Sequence, residues 1–157
     1  MTLATPTILA FLAIGTPGVA GSRASVPLSR AVDRVEERCD SGTGAEAIIC
    51  FQAETAKSRR QMERAFERDL RAATAFDKEF NAFARARRMP ASHLAVQLKA
   101  SQAAWLSYSR SQCSLEGGTS AGGSGTASLD AACHYRLNLQ RLSDLQEGWR
   151  LLNRGKH

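Results

Sequence analysis

The sequence predicts an all-α fold, a small helical bundle of three to four helices with two disulfides, and three observations carry that expectation. Apolar residues recur at intervals of three and four over long stretches, as in Met62, Phe66, Leu70, Ala73, Phe76, Phe80 and Phe83, which lays them along one stripe of a helix. No stretch alternates apolar and polar residues in the manner of a strand, and no Asn-Gly hairpin turn is present. Four cysteines, Cys39, Cys50, Cys113 and Cys133, form an even set, which in an oxidising compartment reads as two bridges.

The N-terminal segment reads as a leader. Residues 1–22 contain no charged side chain, Ile8 to Ile14 form an apolar run of signal-peptide length, and Gly18-Val19-Ala20 offers a cleavage site. No Lys or Arg precedes the run, so the initiating amine supplies the positive charge. The expected organisation is therefore a signal peptide over 1–22 and a single helical domain over 23–157, placed in the periplasm or secreted. No cysteine lies near the cleavage region to carry a lipid anchor, so the mature chain is expected to be soluble.

In the mature chain, Ser29 is positioned to cap a first helix with Ala31, Val32 and Val35 on its apolar side, ending near Cys39. Residues 40–44 read as a turn, and Thr43 followed by Glu46 has capping-box spacing. A second helix runs from Ala45 to about Arg87 with no internal Gly or Pro. At 1.5 Å per residue it would reach about 60 Å, longer than the remaining chain can cover, so a bend or break is expected between Ala72 and Arg88. Met89-Pro90 closes the segment. A third helix, from Ala91 or Ser92 to about Leu115, carries Leu94, Leu98, Ser101, Trp105 and Tyr108 as its inward stripe. Glycines between 117 and 125 mark a loop. The fourth helix starts near Ala127, with Leu129, Cys133, Leu137, Gln140 or Arg141, Leu145, Trp149 and Leu152 facing inward.

Four cysteines allow three pairings. A Cys39–Cys50 bond would lock the first helix to the start of the second. A Cys113–Cys133 bond would staple helices three and four into a hairpin across the glycine loop. Zinc is disfavoured because no close Cys-x-x-Cys pair exists.

The formal net charge is +6. Such an excess favours anionic partners, such as acidic envelope polymers or lipid headgroups, although solubility alone accounts for it. No nucleic-acid partner is expected of an exported chain. Three histidines, no G-x-S-x-G elbow, no unpaired thiol once the disulfides form and no phosphate-cradling loop point away from enzymatic activity, metals and cofactors. One cluster stands apart: Gln102, Trp105, Tyr108 and Arg110 lie within a few turns of Cys113. Aromatics at this spacing usually pack inward, and the alternative is that part of the cluster opens onto a partner.

These residues also carry a resemblance. Leu98, Gln102, Trp105, Leu106, Tyr108 and Cys113 stand in the register of L-x₃-Q-x₂-W-L-x-Y-R-x₃-C, the central signature of the LprI-type lysozyme-inhibitor domain family. Ser109 replaces the signature arginine, with Arg110 one place later. Cys133, Leu137, Arg141 and Leu145 match the family's C-x₃-L-x₃-R-x₃-L, and Cys39, Thr43, Glu46 and Cys50 resemble its upstream cysteine pair. Its L-N-x₂-Y element is approximated by Met62, Glu63 and Phe66. The likeness spans residues 36–148 and implies an exported all-helical domain with neighbouring cysteines paired. For some members it implies inhibition of host or competing lysozymes. Common lysozymes are strongly basic, so a +6 inhibitor approaches against net repulsion. Two functions follow: a protein-binding domain that inhibits lysozyme, or an interaction module for anionic envelope components or another exported protein.

Overall fold

A computed structural model describes residues 28–123 and 125–154; the leader read over residues 1–22 lies outside them. Four helices follow in order: α1 (Leu28–Asp40), α2 (Gly44–Arg87), α3 (Leu94–Gly118) and α4 (Thr126–Asn153). Among the described residues there is no strand.

Helix α1 buries Val32, Val35 and Cys39, one face at a spacing of three and four. The helix already begins at Leu28, so Ser29 sits in its first turn and is not its cap. Entry to α2 is by the expected capping box: the Thr43 N–H and Oγ1 both donate to Glu46 Oε2 at 2.8 Å.

The expected break in α2 does not occur. Its 44 residues form one helix, about 66 Å long at 1.5 Å per residue. Kinks need Pro, Gly pairs or an inserted group, and α2 contains none of these after its first residue. Its upper half is instead clamped to the start of α3. Asp77 Oδ1 accepts from the Leu94 N–H and the Ser92 hydroxyl at 2.9 and 2.6 Å, and Asp77 Oδ2 accepts from the Ala95 N–H at 2.9 Å. Asn81 closes a reciprocal pair with the Ser92 backbone at 2.6 and 3.0 Å. A carboxylate from another helix thus caps α3, which explains why α3 begins at Leu94, two or three residues later than expected. Fully buried Ala73 and Ala84 keep the facing surface of α2 smooth beside this clamp.

Helix α2 ends in a Schellman arrangement. The Met89 N–H reaches the Ala84 carbonyl at 2.9 Å and the Arg88 N–H reaches Arg85 at 3.3 Å. Arg88 occupies the left-handed position, φ 55°, where a residue with a Cβ costs about 1 kcal/mol more than Gly.

Helices α2 and α4 run in the same direction. Thr55 Oγ1 donates to the Ala131 carbonyl at 2.7 Å, Asn138 Nδ2 donates to Ser58 Oγ at 3.2 Å, and Met62 and Ala65 share a core cluster with Leu145. Helix α3 returns antiparallel between them. Gln102 meets Met62 near the middle of the bundle, and Cys113 bonds Cys133 near its lower end. Helix α1 closes that lower end, where Val32, Val35 and Cys39 pack with Phe51, Ala131 and Tyr135. The disulfides are Cys39–Cys50 and Cys113–Cys133, each with Cα atoms 5.4 Å apart, so neighbours pair as the family resemblance implies. At the α3–α4 turn Gly117 allows a close approach: a Cβ there would lie 3.1 Å from the Thr126 carbonyl oxygen, so the turn would have to give by a few tenths of an ångström.

Several side chains expected inside lie outside. Tyr108 is 55% exposed, Leu129 is exposed, and Phe76 and Phe83 are 42% and 50% exposed. Tyr108 falls on the flank of α3 beside its packed face, which the buried Gln102, Ser109 and Cys113 define. Of Gln140 and Arg141, it is Arg141 that turns inward.

Each disulfide closes a short loop, with sequence separations of 11 and 20. On chain-entropy grounds each contributes about 3 kcal/mol. Replacing Cys113 and Cys133 together by alanine is expected to lower the unfolding free energy by about that amount in urea titrations, with helical circular dichroism retained below the midpoint.

Candidate functional site

The signature residues do not act as one cluster. Gln102 is buried at the meeting point of three helices. Its Oε1 accepts from Arg141 Nε at 3.0 Å, and its Nε2 lies 3.2 Å from Met62 Sδ. Arg141 also donates through Nη2 to Ser101 Oγ at 3.0 Å. Trp105 packs against the Met62–Leu145 cluster and against the Cys113–Cys133–Leu137 cluster. These three side chains are therefore struts that fix the spacing of α2, α3 and α4. Tyr108 and Arg110 are exposed and stand about 200° apart around α3 at 3.6 residues per turn, so they face different flanks.

Arg110 lines a groove of about 290 Å³ between α2 and α3, with Arg59, Trp105, Leu106 and His134 among its walls. Through Thr55, Arg59 and His134 it meets a second depression of about 520 Å³ that reaches Arg60, Glu63 and Asp130. Arg59 is held by Glu63 at 2.8 Å, and His134 lies 3.9 Å from Asp130. Among the described residues Arg110 and Arg60 have no carboxylate partner. The groove is thus concave and mildly basic. No metal-holding group of His, Cys, Asp or Glu occurs among the described residues.

A smaller groove of about 270 Å³ near the upper end of α4 is mostly apolar, walled by Leu94, Leu98, Leu145 and Leu152 over Asp69 and Arg141. Asp69 is 2% exposed. Burial pushes its carboxyl above the usual range, opposed by Arg68 and more weakly by Arg141. Arg68 donates through Nε and Nη2 to Asp69 Oδ1 at 2.8 and 2.6 Å while its guanidinium stacks 4.5 Å over Trp149. Burial also lowers the affinity of Arg141 for its proton, against the pull of Asp144 and Asp69. Sequence reasoning missed Asp69 as a buried charge because arginines at helical spacing around it look like a solvated ion-pair face. Its place on the stripe with Met62 and Ala73 was the signal available.

Fold and surface together define a class: a disulfide-stapled helical domain whose signature side chains hold helices apart and whose open faces carry arginine. The chain belongs to the lysozyme inhibitor LprI family, whose model matches residues 37–145. That family is one of inhibitors and not of enzymes. No curated protein and no solved structure matches the chain.

Two outcomes follow. Arg141→Ala removes one half of a part-buried hydrogen-bonded pair and leaves the buried Gln102 Oε1 without its partner, which costs roughly 1–3 kcal/mol; Tyr108→Ala, at an exposed position, should move the urea midpoint little. The second concerns pH. Between the ordinary aspartate value and the raised value of Asp69, the folded protein holds a proton that the unfolded chain has released. Stability therefore rises as pH falls through that window. Glu46, Asp77 and Glu116, whose values are lowered by their hydrogen bonds, act in the opposite sense as pH falls, so the gain is read as the difference between wild-type and Asp69→Asn urea midpoints, which should grow in favour of the wild type from pH 7 to 4.

Proposed function

We propose that the chain is an exported, non-catalytic binding domain that forms a stoichiometric complex with a lysozyme and inhibits it. The family match over residues 37–145 carries this reading, and the build of the domain supports it. Two disulfides and the Gln102–Arg141 strut fix the helices before any partner arrives, which reduces the ordering cost of association. Two bridges with no free cysteine among the four suit an oxidising compartment, the periplasm or the exterior. No described helix is long and apolar enough to cross a membrane.

In this reading Gln102, Trp105 and Arg141 maintain the scaffold and do not touch the partner. A turbidity assay with purified, oxidised mature chain at micromolar excess should show loss of lytic activity for at least one lysozyme type, with a co-eluting complex in gel filtration. Undiminished lysis across several lysozyme types would remove the proposal.

A further inference from the structure

The apolar stripe by which α2 packs on α4 does not stop where α4 stops. Ser58, Ala65 and Asp69 face α4 through Asn138, Leu145 and the Arg141 groove. Continued by sevens, fours and threes, the same stripe runs to Phe76, Phe80, Phe83 and Arg87. Arg68 lies level with Trp149, so α4 ends at Asn153 beside residue 72 or so. Residues 73–87 then project about 22 Å further at 1.5 Å per residue, accompanied among the described residues only by the start of α3 and the loop before it.

On this overhang Phe76 and Phe80 stack at 5.6 Å, Phe80 and Phe83 lie 6.5 Å apart, and Arg87 sits 5.5 Å over the Phe83 ring. Phe76 and Phe83 are exposed, and Phe80 is half-buried between them. The hairpin is nonetheless rigid, held by Asp77 and Asn81 against the first turn of α3.

The hairpin end is net basic: Lys78, Arg85, Arg87 and Arg88 stand there against Glu79 and against Asp77, which is committed to the α3 cap. None of these cations is paired among the described residues. Arg88 moreover occupies a left-handed position that Gly would fill with less strain.

We propose that this α2–α3 hairpin is the inhibitory element, its phenylalanine stripe and Arg87–Arg88 end docking in the substrate cleft of a lysozyme. The proposal rests on the inhibitor reading and names the surface. A lysozyme cleft holds two carboxylates about 5 Å apart, one of them in an apolar pocket. Arginine beside aromatic rings complements that chemistry, and a projecting hairpin can enter a cleft that the concave Arg110 groove cannot. Local attraction in the cleft also answers the repulsion between two basic proteins. A flat bilayer is a poorer match. The stripe lies on the flank of the hairpin, above a step about 10 Å high formed by the end of α4.

The test uses the oxidised mature chain and four variants in lysozyme inhibition, each checked by thermal unfolding. Arg87→Glu/Arg88→Glu and Phe76→Ser/Phe83→Ser are each expected to weaken inhibition at least tenfold without lowering Tm. Lys57→Glu/Arg64→Glu, the same change of net charge lower on α2, should leave it within twofold. Arg88→Gly should raise Tm yet weaken inhibition several-fold, a split that a purely structural role cannot produce. If the wild type inhibits and the first two folded variants match it, the hairpin assignment is wrong and the inhibitor reading stands. If the wild type inhibits no lysozyme, both fall. Co-sedimentation with phosphatidylglycerol vesicles that is lost in Arg87→Glu/Arg88→Glu, while inhibition persists, assigns the hairpin to lipid and overturns the proposal.

Discussion

The architecture follows from a mismatch of lengths. Helix α2 has 44 residues, against 25 in α3 and 28 in α4. No single partner can cover it, so it is covered in relays. Among the described residues, helix α1 and the first turns of α4 pack on its lower part, α3 and α4 together on its middle, and α3 alone on its top. Each relay has its own fastening: a disulfide at the bottom, the Gln102–Arg141 strut in the middle, and the Asp77–Asn81 clamp above. A helix without Gly or Pro in its interior has no cheap place to break, and the three fastenings are spread along its length.

Much of this was legible in the residues. The four helices, the Thr43–Glu46 box and the cysteine pairing implied by the family likeness are all present. Periodicity and capping chemistry are local, and a sequence states them directly. The misreadings share one cause. The break expected in α2 came from assuming that an uncovered stripe must be avoided, and Phe76 and Phe83 were counted as core because their spacing matches Met62 and Ala73. Spacing says which side of a helix a residue is on. Whether anything lies across from it depends on where the neighbouring helix ends, which is a tertiary fact. Tyr108 failed in a related way: it stands one position short of the buried Ser109, on the shoulder of α3, where a large ring can lie out in water.

The same distinction applies to the signature. Read along the chain, Gln102, Trp105, Tyr108, Arg110 and Arg141 invited a single role. In three dimensions the residues with fixed partners are Gln102, Trp105 and Arg141, and their partners are other helices. A motif of this kind specifies how far apart helices stand, and so reports on fold more than on recognition. A recognition surface is then better sought where the packing leaves the sequence free.

Charge placement narrows the choice of such a surface. Acidic side chains are plentiful below residue 80, and several are committed: Glu46 to the α2 cap, Glu54 and Glu63 to arginine pairs, Asp69 to Arg68, Asp77 to the α3 cap. Glu116 is held to Arg136 at 2.7 Å and does not reappear on the hairpin. Neutralisation is thus concentrated in the bundle proper, and the excess positive charge collects on the overhang and α3. A net charge treats the molecule as a point and would forbid approach to a basic partner. At contact, screening confines the interaction to charges within about 10 Å, and what counts is the sign of the opposing patch. Arg85, Arg87 and Arg88 lie where the helix outruns its described cover, so apolar exposure and an excess of positive charge occur on one braced projection. Each feature alone is common on protein surfaces; their coincidence on a braced hairpin gives the molecule a face with a defined chemical complement.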